Sequence, residues 1–223
     1  MPTSSGGRAV PRTSWRMAEP RRLGCVVEGH GEVRAVPLLC HRVLRELLAV
    51  PGERWGVDRD AVRVPKGKLI DLAPGPTRGK PRRHELDRAL VLLRARGVTA
   101  SVVVLDRDED CPAALASDVE PQPWPLPTRA VMASREYESW LLWGREAAER
   151  ARARAPDPEV GPSDAKGALR RLEPDYGPTT DQERLTRTLD LPRVWSRSRS
   201  FDKLVRSLAW LTGAPVPGRP EAR

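Results

Sequence analysis

The chain has 223 residues, with 39 Lys and Arg against 30 Asp and Glu and a formal charge of +9, so it has room for one full α/β domain and a small appendage. No segment reaches the roughly 20 apolar residues that span a bilayer, and the N-terminus has no apolar signal core, so no membrane association is expected. Three cysteines without a CxxC pair argue against a zinc cluster and a disulfide framework, and a cytoplasmic setting is expected.

The positive charge suits a polyanionic partner such as nucleic acid, because clustered Lys and Arg displace counterions from phosphates. A biased genomic composition rich in Arg, Ala and Pro produces the same excess, so charge alone does not select that partner.

Residues 1–22 are rich in Ser, Gly, Pro and Arg, lack apolar periodicity, and are expected to form a disordered leader. Leu23 to Val27 then reads as a continuous apolar strand of the kind buried on both faces of a mostly parallel sheet. It ends in Glu28, Gly29, His30, Gly31 and Glu32. Val36, Leu39, Val43, Leu44, Leu47 and Leu48 recur at helical spacing and predict a helix to about Ala49, stopped by Pro51 and Gly52.

Ala61 to Val64 predicts a short strand, followed by a Lys-, Pro- and Gly-rich loop with Lys66, Lys68, Arg78, Lys80, Arg82 and Arg83. Beside an acidic site such a loop would grip phosphates, although the same composition also describes a solvated, mobile loop. A helix is predicted from Glu85 to Arg96, with Leu86, Ala89, Leu90 and Leu93 on one face and Gly97 as its stop. Ser101 to Leu105 is β-branched and uninterrupted, the second core strand, and it runs into Asp106, Arg107, Asp108, Glu109 and Asp110.

Pro121 to Pro127 is a proline-broken connector. Arg129 to Ala133 predicts another strand, and Ser134 the N-cap of a helix whose Tyr137, Trp140, Leu141 and Trp143 pack on the sheet. Further on come a proline-rich joint at 156–162 and short helices at 163–172, 181–189 and 200–211. Residues 23–155 are therefore read as the core, and 156–223 as a helical C-terminal extension packed on it, because few apolar residues remain for a second core.

In an open α/β sheet, ligands bind at the carboxyl ends of the strands near the topological switch point. Glu28, Asp106 and Asp108 fall at such ends. Converging carboxylates repel one another unless they share a cation, and hard oxygen ligands suit Mg²⁺ or Mn²⁺. Gly29 and Gly31 let the backbone turn sharply and approach a ligand, while the following helix offers N–H groups to an anion. An EF-hand is not the explanation: Cys111 stands where the turn glycine belongs, and Ser117 where the bidentate Glu belongs. A purely structural alternative is an acidic run that caps a helix beginning near Pro112.

Glu136 and Glu138 begin a helix just after a strand and are placed to help hold a second metal, or else to cap that helix and face solvent. Asp110 is a further candidate ligand. His30 is a candidate phosphate contact or proton shuttle, or an exposed loop residue. Lys166 and Lys203, with Arg197, Arg199 and Arg206, are candidate phosphate contacts, with ordinary solvated charge as the alternative. Glu32 lies one turn into the first helix, where favouring the dipole is a sufficient role, and it ranks below Glu28, Asp106 and Asp108.

The stretch Val26 to Val33, together with Leu105 to Asp108, resembles the Toprim fold, the Rossmann-like catalytic domain of topoisomerases, bacterial primases and OLD-type (overcoming lysogenization defect) nucleases. The segments Ser134 to Trp140, Ala165 to Gly167, Asp181 to Gln182 and Ser200 to Leu204 are similar to an uncharacterised Toprim-like bacterial group, domain-of-unknown-function family 4276. That likeness spans most of Leu23 to Leu211.

The resemblance implies a sheet of about four mostly parallel strands flanked by helices, with a helical C-terminal cap. It implies a Mg²⁺-dependent phosphoryl-transfer site, with Glu28 as general acid/base or metal ligand and Asp106 and Asp108 as metal ligands. It further implies work beside an ATPase, in bacterial anti-phage defence or DNA repair. The chain shows neither a topoisomerase-type active-site tyrosine nor a primase polymerisation apparatus, so the expected chemistry is hydrolysis of a DNA or RNA phosphodiester. Two alternatives stay open: a non-catalytic nucleic-acid- or partner-binding regulatory subunit on the same scaffold, and turnover of mononucleotides or small phosphate esters.

Overall fold

The computed structural model describes residues 20–71, 80–81, 83–108, 110–146 and 164–221. Most of the expected leader, Arg78, Arg82, Glu109 and the proline-rich joint at 156–162 lie outside the described residues.

Among the described residues, five parallel strands make the main sheet: β1 (Arg21–Val27), β2 (Trp55–Val57), β3 (Val62–Arg63), β4 (Ala100–Asp106) and β5 (Thr128–Ala133). One edge of β1 pairs first with β2, Arg21 opposite Trp55, and then with β3, Val26 opposite Val62. Its other edge pairs with β4 from Leu23–Ala100 to Val27–Val104, and β5 lies beyond β4. The mostly parallel α/β sheet expected from the apolar runs is therefore present.

Arg21 and Arg22, expected in the leader, are the first two residues of β1. Both are exposed, and they enter the sheet through backbone pairing with Trp55 and Gly56, which needs no apolar side chain. The Arg21 guanidinium also lies 5.8 Å from the centre of the Trp55 ring.

Successive residues of a strand point to opposite faces, and both faces here are covered. Leu23, Cys25, Val27, Val102 and Val104 pack with helix α1 (Glu32–Arg42) and with the C-terminal helices. Val26, Val103 and Leu105 pack with α2 (Arg83–Ala95) and α3 (Pro112–Val119), through Leu86, Leu90, Leu93, Leu115 and Val119. The chain leaves β1 over one face towards β2 and β3, then crosses over the other face through α2 to β4 and through α3 to β5. Opposite faces for opposite directions are what a constant crossover hand requires. The switch point thus falls between β1 and β4.

Several predicted helices have different bounds. The first is α-helical only to Arg42 and continues as a π-helical turn, Val43–Leu47. Ser134 is not a helix cap: Arg135 takes a left-handed conformation (φ 66°), so α4 starts at Glu138 and ends at Trp143. The Ser134 N–H and hydroxyl instead donate to Ser200 Oγ at 3.1 and 3.0 Å.

Among the described residues, four C-terminal helices follow: α5 (Ala165–Leu172), α6 (Pro178–Arg187), α7 (Leu191–Arg197) and α8 (Arg199–Thr212). Asp164 and Ser198 cap α5 and α8 by accepting from Gly167 N–H and Phe201 N–H. Leu169, Tyr176, Leu185, Trp195, Phe201 and Leu208 belong to the same buried cluster as Leu23 and Val27 of β1. Phe201 meets the Trp140 ring edge-on at 5.6 Å, tying α8 to α4. Among the described residues, no helix is long and apolar enough to cross a membrane.

Candidate active site

The carboxyl ends of three neighbouring strands converge on one crevice. Glu28 directly follows β1, Asp106 is the last residue of β4, and Glu138 opens α4 shortly after β5. The Tyr137 N–H donates to Asp106 Oδ1 at 2.7 Å and holds that carboxyl in place. Glu32, only 3% exposed, turns back from α1, and its Oε2 accepts the N–H groups of Glu28 and Gly29, each at 3.2 Å. Glu138 is fully enclosed, and its Oε1 accepts from the Tyr176 hydroxyl at 2.9 Å and from Gln182 Nε2 at 3.3 Å.

Burial and mutual repulsion raise three of these carboxyls, Glu28, Glu32 and Asp106, above their ordinary range. Burial pushes the Glu28 carboxyl up to about 7, with Glu32 and Asp108 adding to the rise and Lys66 and a backbone hydrogen bond at Asp106 opposing it. Burial likewise lifts Glu32 to about 6; the Gly29 and Glu28 N–H groups resist the rise and Glu138 adds to it. Asp106 is held well above the usual carboxylate range by burial first and then by Glu32, Glu28 and Glu138. One oxygen of the set, Glu28 Oε2, is buried without a hydrogen-bond partner.

Two lysines meet this acidic group. Lys66 opens a one-turn helix (Lys66–Leu69), and its ammonium reaches Asp108 Oδ2 at 2.7 Å and Asp110 Oδ2 at 2.8 Å. It also donates to the carbonyls of Asp106 at 2.7 Å and Arg107 at 3.3 Å. Burial disfavours that ammonium, but the bonds to Asp108 and Asp110 outweigh it and raise its pKa. Lys166 stands 3.6 Å from Glu136 Oε1 and 3.9 Å from Glu138 Oε1, and its backbone N–H donates to Glu136 Oε2 at 2.9 Å. Burial works against its charge too, and Glu138, Glu136 and Asp106 override it.

Past the strand ends the backbone is strained. Asp108 has φ 46° and Arg135 φ 66°, and the Asp108 N–H donates to the Arg135 carbonyl at 3.2 Å. Left-handed conformations at such residues cost on the order of 1–3 kcal/mol each and cluster at functional sites. Here they turn two neighbouring chains away from the sheet together, leaving Asp106 at its mouth.

The other predicted site residues fall in different places. Gly29 has its N–H engaged by Glu32, and Gly31 packs beneath the Pro178 carbonyl and Gln182. His30 is exposed at the tip of the turn, and Lys68 is exposed beside Lys66. Lys203 pairs with Glu120 at 2.9 Å. Asp110 is only 7% exposed, with Lys66 as its ion-pair partner. Glu32, ranked below the other three acids on sequence grounds, lies at the centre of the group, and Tyr137, Tyr176 and Gln182 support that group through contacts that no local pattern announces. Of these, Gln182 lies in a segment that carries the family resemblance, while the Tyr137 contribution is a backbone N–H with no side-chain signature.

Among the described residues, no group of three or more His, Cys, Asp or Glu side chains stands at the spacing of ligands around one ion. What converges is a set of hard oxygen donors, with Lys66 meeting the Asp108 side and Lys166 the Glu138 side. Fold and site together describe an α/β protein with a carboxylate crevice at the switch point of a parallel sheet. No family model, no curated protein and no solved structure matches the chain.

The weak acids make a prediction about stability. Glu28 and Glu32 have folded pKa values above the ordinary 4.5, so the native state holds extra protons between about pH 4.5 and 7 and stability falls as pH rises through that window. Glu28→Gln removes one such group. Its thermal midpoint should exceed that of the unsubstituted protein by a few degrees at pH 8, with the gap closing at pH 5, as read by scanning calorimetry. A lower midpoint at pH 8 would show that Glu28 is not held against repulsion.

Proposed function

We propose that the chain is a divalent-cation-dependent phosphodiesterase that acts on nucleic acid, of the Toprim-like kind its strand-end motifs resemble. The observation that carries this reading is the enclosed convergence of Glu28, Glu32, Asp106 and Glu138, with Glu28 Oε2 left without a partner. The donor set fits Mg²⁺ or Mn²⁺: the oxygens are hard, and a shared cation relieves their repulsion. Glu28 and Asp106 would hold it, with Glu32, Asp108 and Glu138 beside them. Bound there, the cation supplies Lewis-acid charge to a phosphoryl oxygen.

The remaining work falls to the chain itself. Glu28 titrates near neutrality, the range in which a carboxyl serves as general acid or base. Lys66 and Lys166 are placed to offer ammonium charge to non-bridging phosphate oxygens. A cytoplasmic setting, an ATPase partner and a role in anti-phage defence or DNA repair belong to the same proposal and rest on the family resemblance.

The test is cleavage of plasmid, single-stranded DNA and RNA in Mg²⁺ or Mn²⁺, beside Glu28→Gln. Activity on mononucleotides alone would instead identify a small phosphate-ester hydrolase. Cation binding should also be coupled to proton release: with Glu28 titrating near 7 and Asp106 held above its usual range by burial and its acidic neighbours, affinity should rise as pH goes from 6 to 8, by up to about tenfold per unit for each proton displaced. Calorimetry in two buffers of different ionisation enthalpy measures both quantities, and a pH-independent affinity would remove these acids from the cation site.

One observation favours a non-catalytic regulatory subunit instead: Lys66 already neutralises Asp108 and Asp110. That reading requires no measurable Mg²⁺ or Mn²⁺ affinity in the same titrations.

A further inference from the structure

Beside the acidic crevice, at the outer edge of the sheet, lies a separate cavity of about 360 Å³ between β5, α3 and the start of α8. Its volume is within the range of small-molecule sites. Arg107, Arg199 and Lys203 line it, and among the described residues no Asp or Glu does. The counterion of Lys203 is Glu120, outside the lining, which Arg129 also holds at 2.7 Å.

The rest of the wall is of two kinds. Ala113, Ala116 and Met132 give it an apolar side. Ser134 and Ser200 give it a hydroxyl side that is fixed from behind: Ser200 Oγ accepts from Ser134 N–H and from Trp140 Nε1 at 2.8 Å. Three cations against an apolar wall suit an anion that carries a flat apolar group, more than they suit a bare phosphate or an uncharged ring. Arg107 stands between Asp106 and Asp108 in the chain, so the cavity adjoins the acidic crevice.

We propose that this cavity is a nucleotide subsite. Arg199 and Lys203 take the phosphate, Ala113, Ala116 and Met132 take the base, and Arg107 bridges towards the acids. In a polynucleotide, the occupant is the nucleoside next to the phosphate held in the crevice. That placement rests on the phosphodiesterase reading; the binding of a nucleotide does not.

The test is calorimetry on the full chain in EDTA, with adenosine 5′-monophosphate as ligand and inorganic phosphate and adenosine as its separated halves. The monophosphate should bind at least about tenfold more tightly than either half. Ala113→Trp, which fills the cavity from an exposed helix position, and Lys203→Gln should each weaken it by about tenfold or more. Arg94→Gln, exposed on α2, should leave it unchanged. Equal binding of the monophosphate and its halves, or full affinity in both cavity variants, overturns the proposal. Nucleotide binding without any cleavage would leave the subsite standing and remove the catalytic reading, and cleavage without nucleotide binding would do the reverse.

Discussion

Asp106→Asn is expected to cut cation-dependent phosphodiester cleavage by roughly a thousandfold while the fold survives. The amide retains an oxygen for the Tyr137 N–H, so the hydrogen bond that positions residue 106 at the end of β4 persists. What goes is the charge that faces Glu28, Glu32 and Glu138. Losing it relieves repulsion, so the thermal midpoint of this variant should equal or exceed that of the unsubstituted protein above pH 7. A low rate at an undiminished midpoint separates chemistry from folding, whereas nicking of plasmid at the unsubstituted rate would take Asp106 out of the site.

Gly31→Ala should destabilise the protein by about 3 kcal/mol, a fall of roughly 5–10 °C in thermal midpoint. Gly31 has φ −66°, which alanine adopts freely, so the backbone itself is no obstacle. The added Cβ would land against the Pro178 carbonyl oxygen and Gln182 Oε1. The first of these is main chain at the start of α6, and it yields only if the helix moves. That shift would also pull Gln182 Nε2 from Glu138. Gly29→Ala is the control: the nearest atoms to its Cβ belong to the Glu32 side chain, at 3.1 Å, and not to main chain, so it should cost less. A Gly31→Ala midpoint within a degree or so of the parent would mean that α6 does not press on this turn.

Glu28 and Asp106 were legible in the sequence because each ends an uninterrupted apolar run, a signal contained in a few neighbouring residues. The strands of the sheet's middle were legible for the same reason. Trp55–Val57 was not, because three residues among turn formers show no periodicity, and the burial of Trp55 in the core depends on tertiary packing. Ser134 carries the local signature of a helix cap, but Arg135 turns left-handed and the hydroxyl goes to Ser200, 66 residues away. Glu32 looked sufficiently explained by the helix dipole, and nothing nearby announces that it closes on two N–H groups inside a crevice. Lys66 was expected to grip phosphate, a role still proposed; its ion pairs with Asp108 and Asp110 depend on tertiary distance and could not be read locally. Tyr176 and Gln182 reach Glu138 from 38 and 44 residues downstream, and contacts of that separation leave no periodicity to find.

The C-terminal helices also set when the crevice can exist. Glu138 is held by Tyr176 and Gln182, and Glu136 by Lys166, all of which follow the sheet in the chain. A ribosome adds about 5–20 residues per second, so β1, β4 and β5 emerge seconds before these partners. Glu138 therefore gains its two side-chain partners only once residues 176 and 182 have been made, so its place in the crevice is completed last.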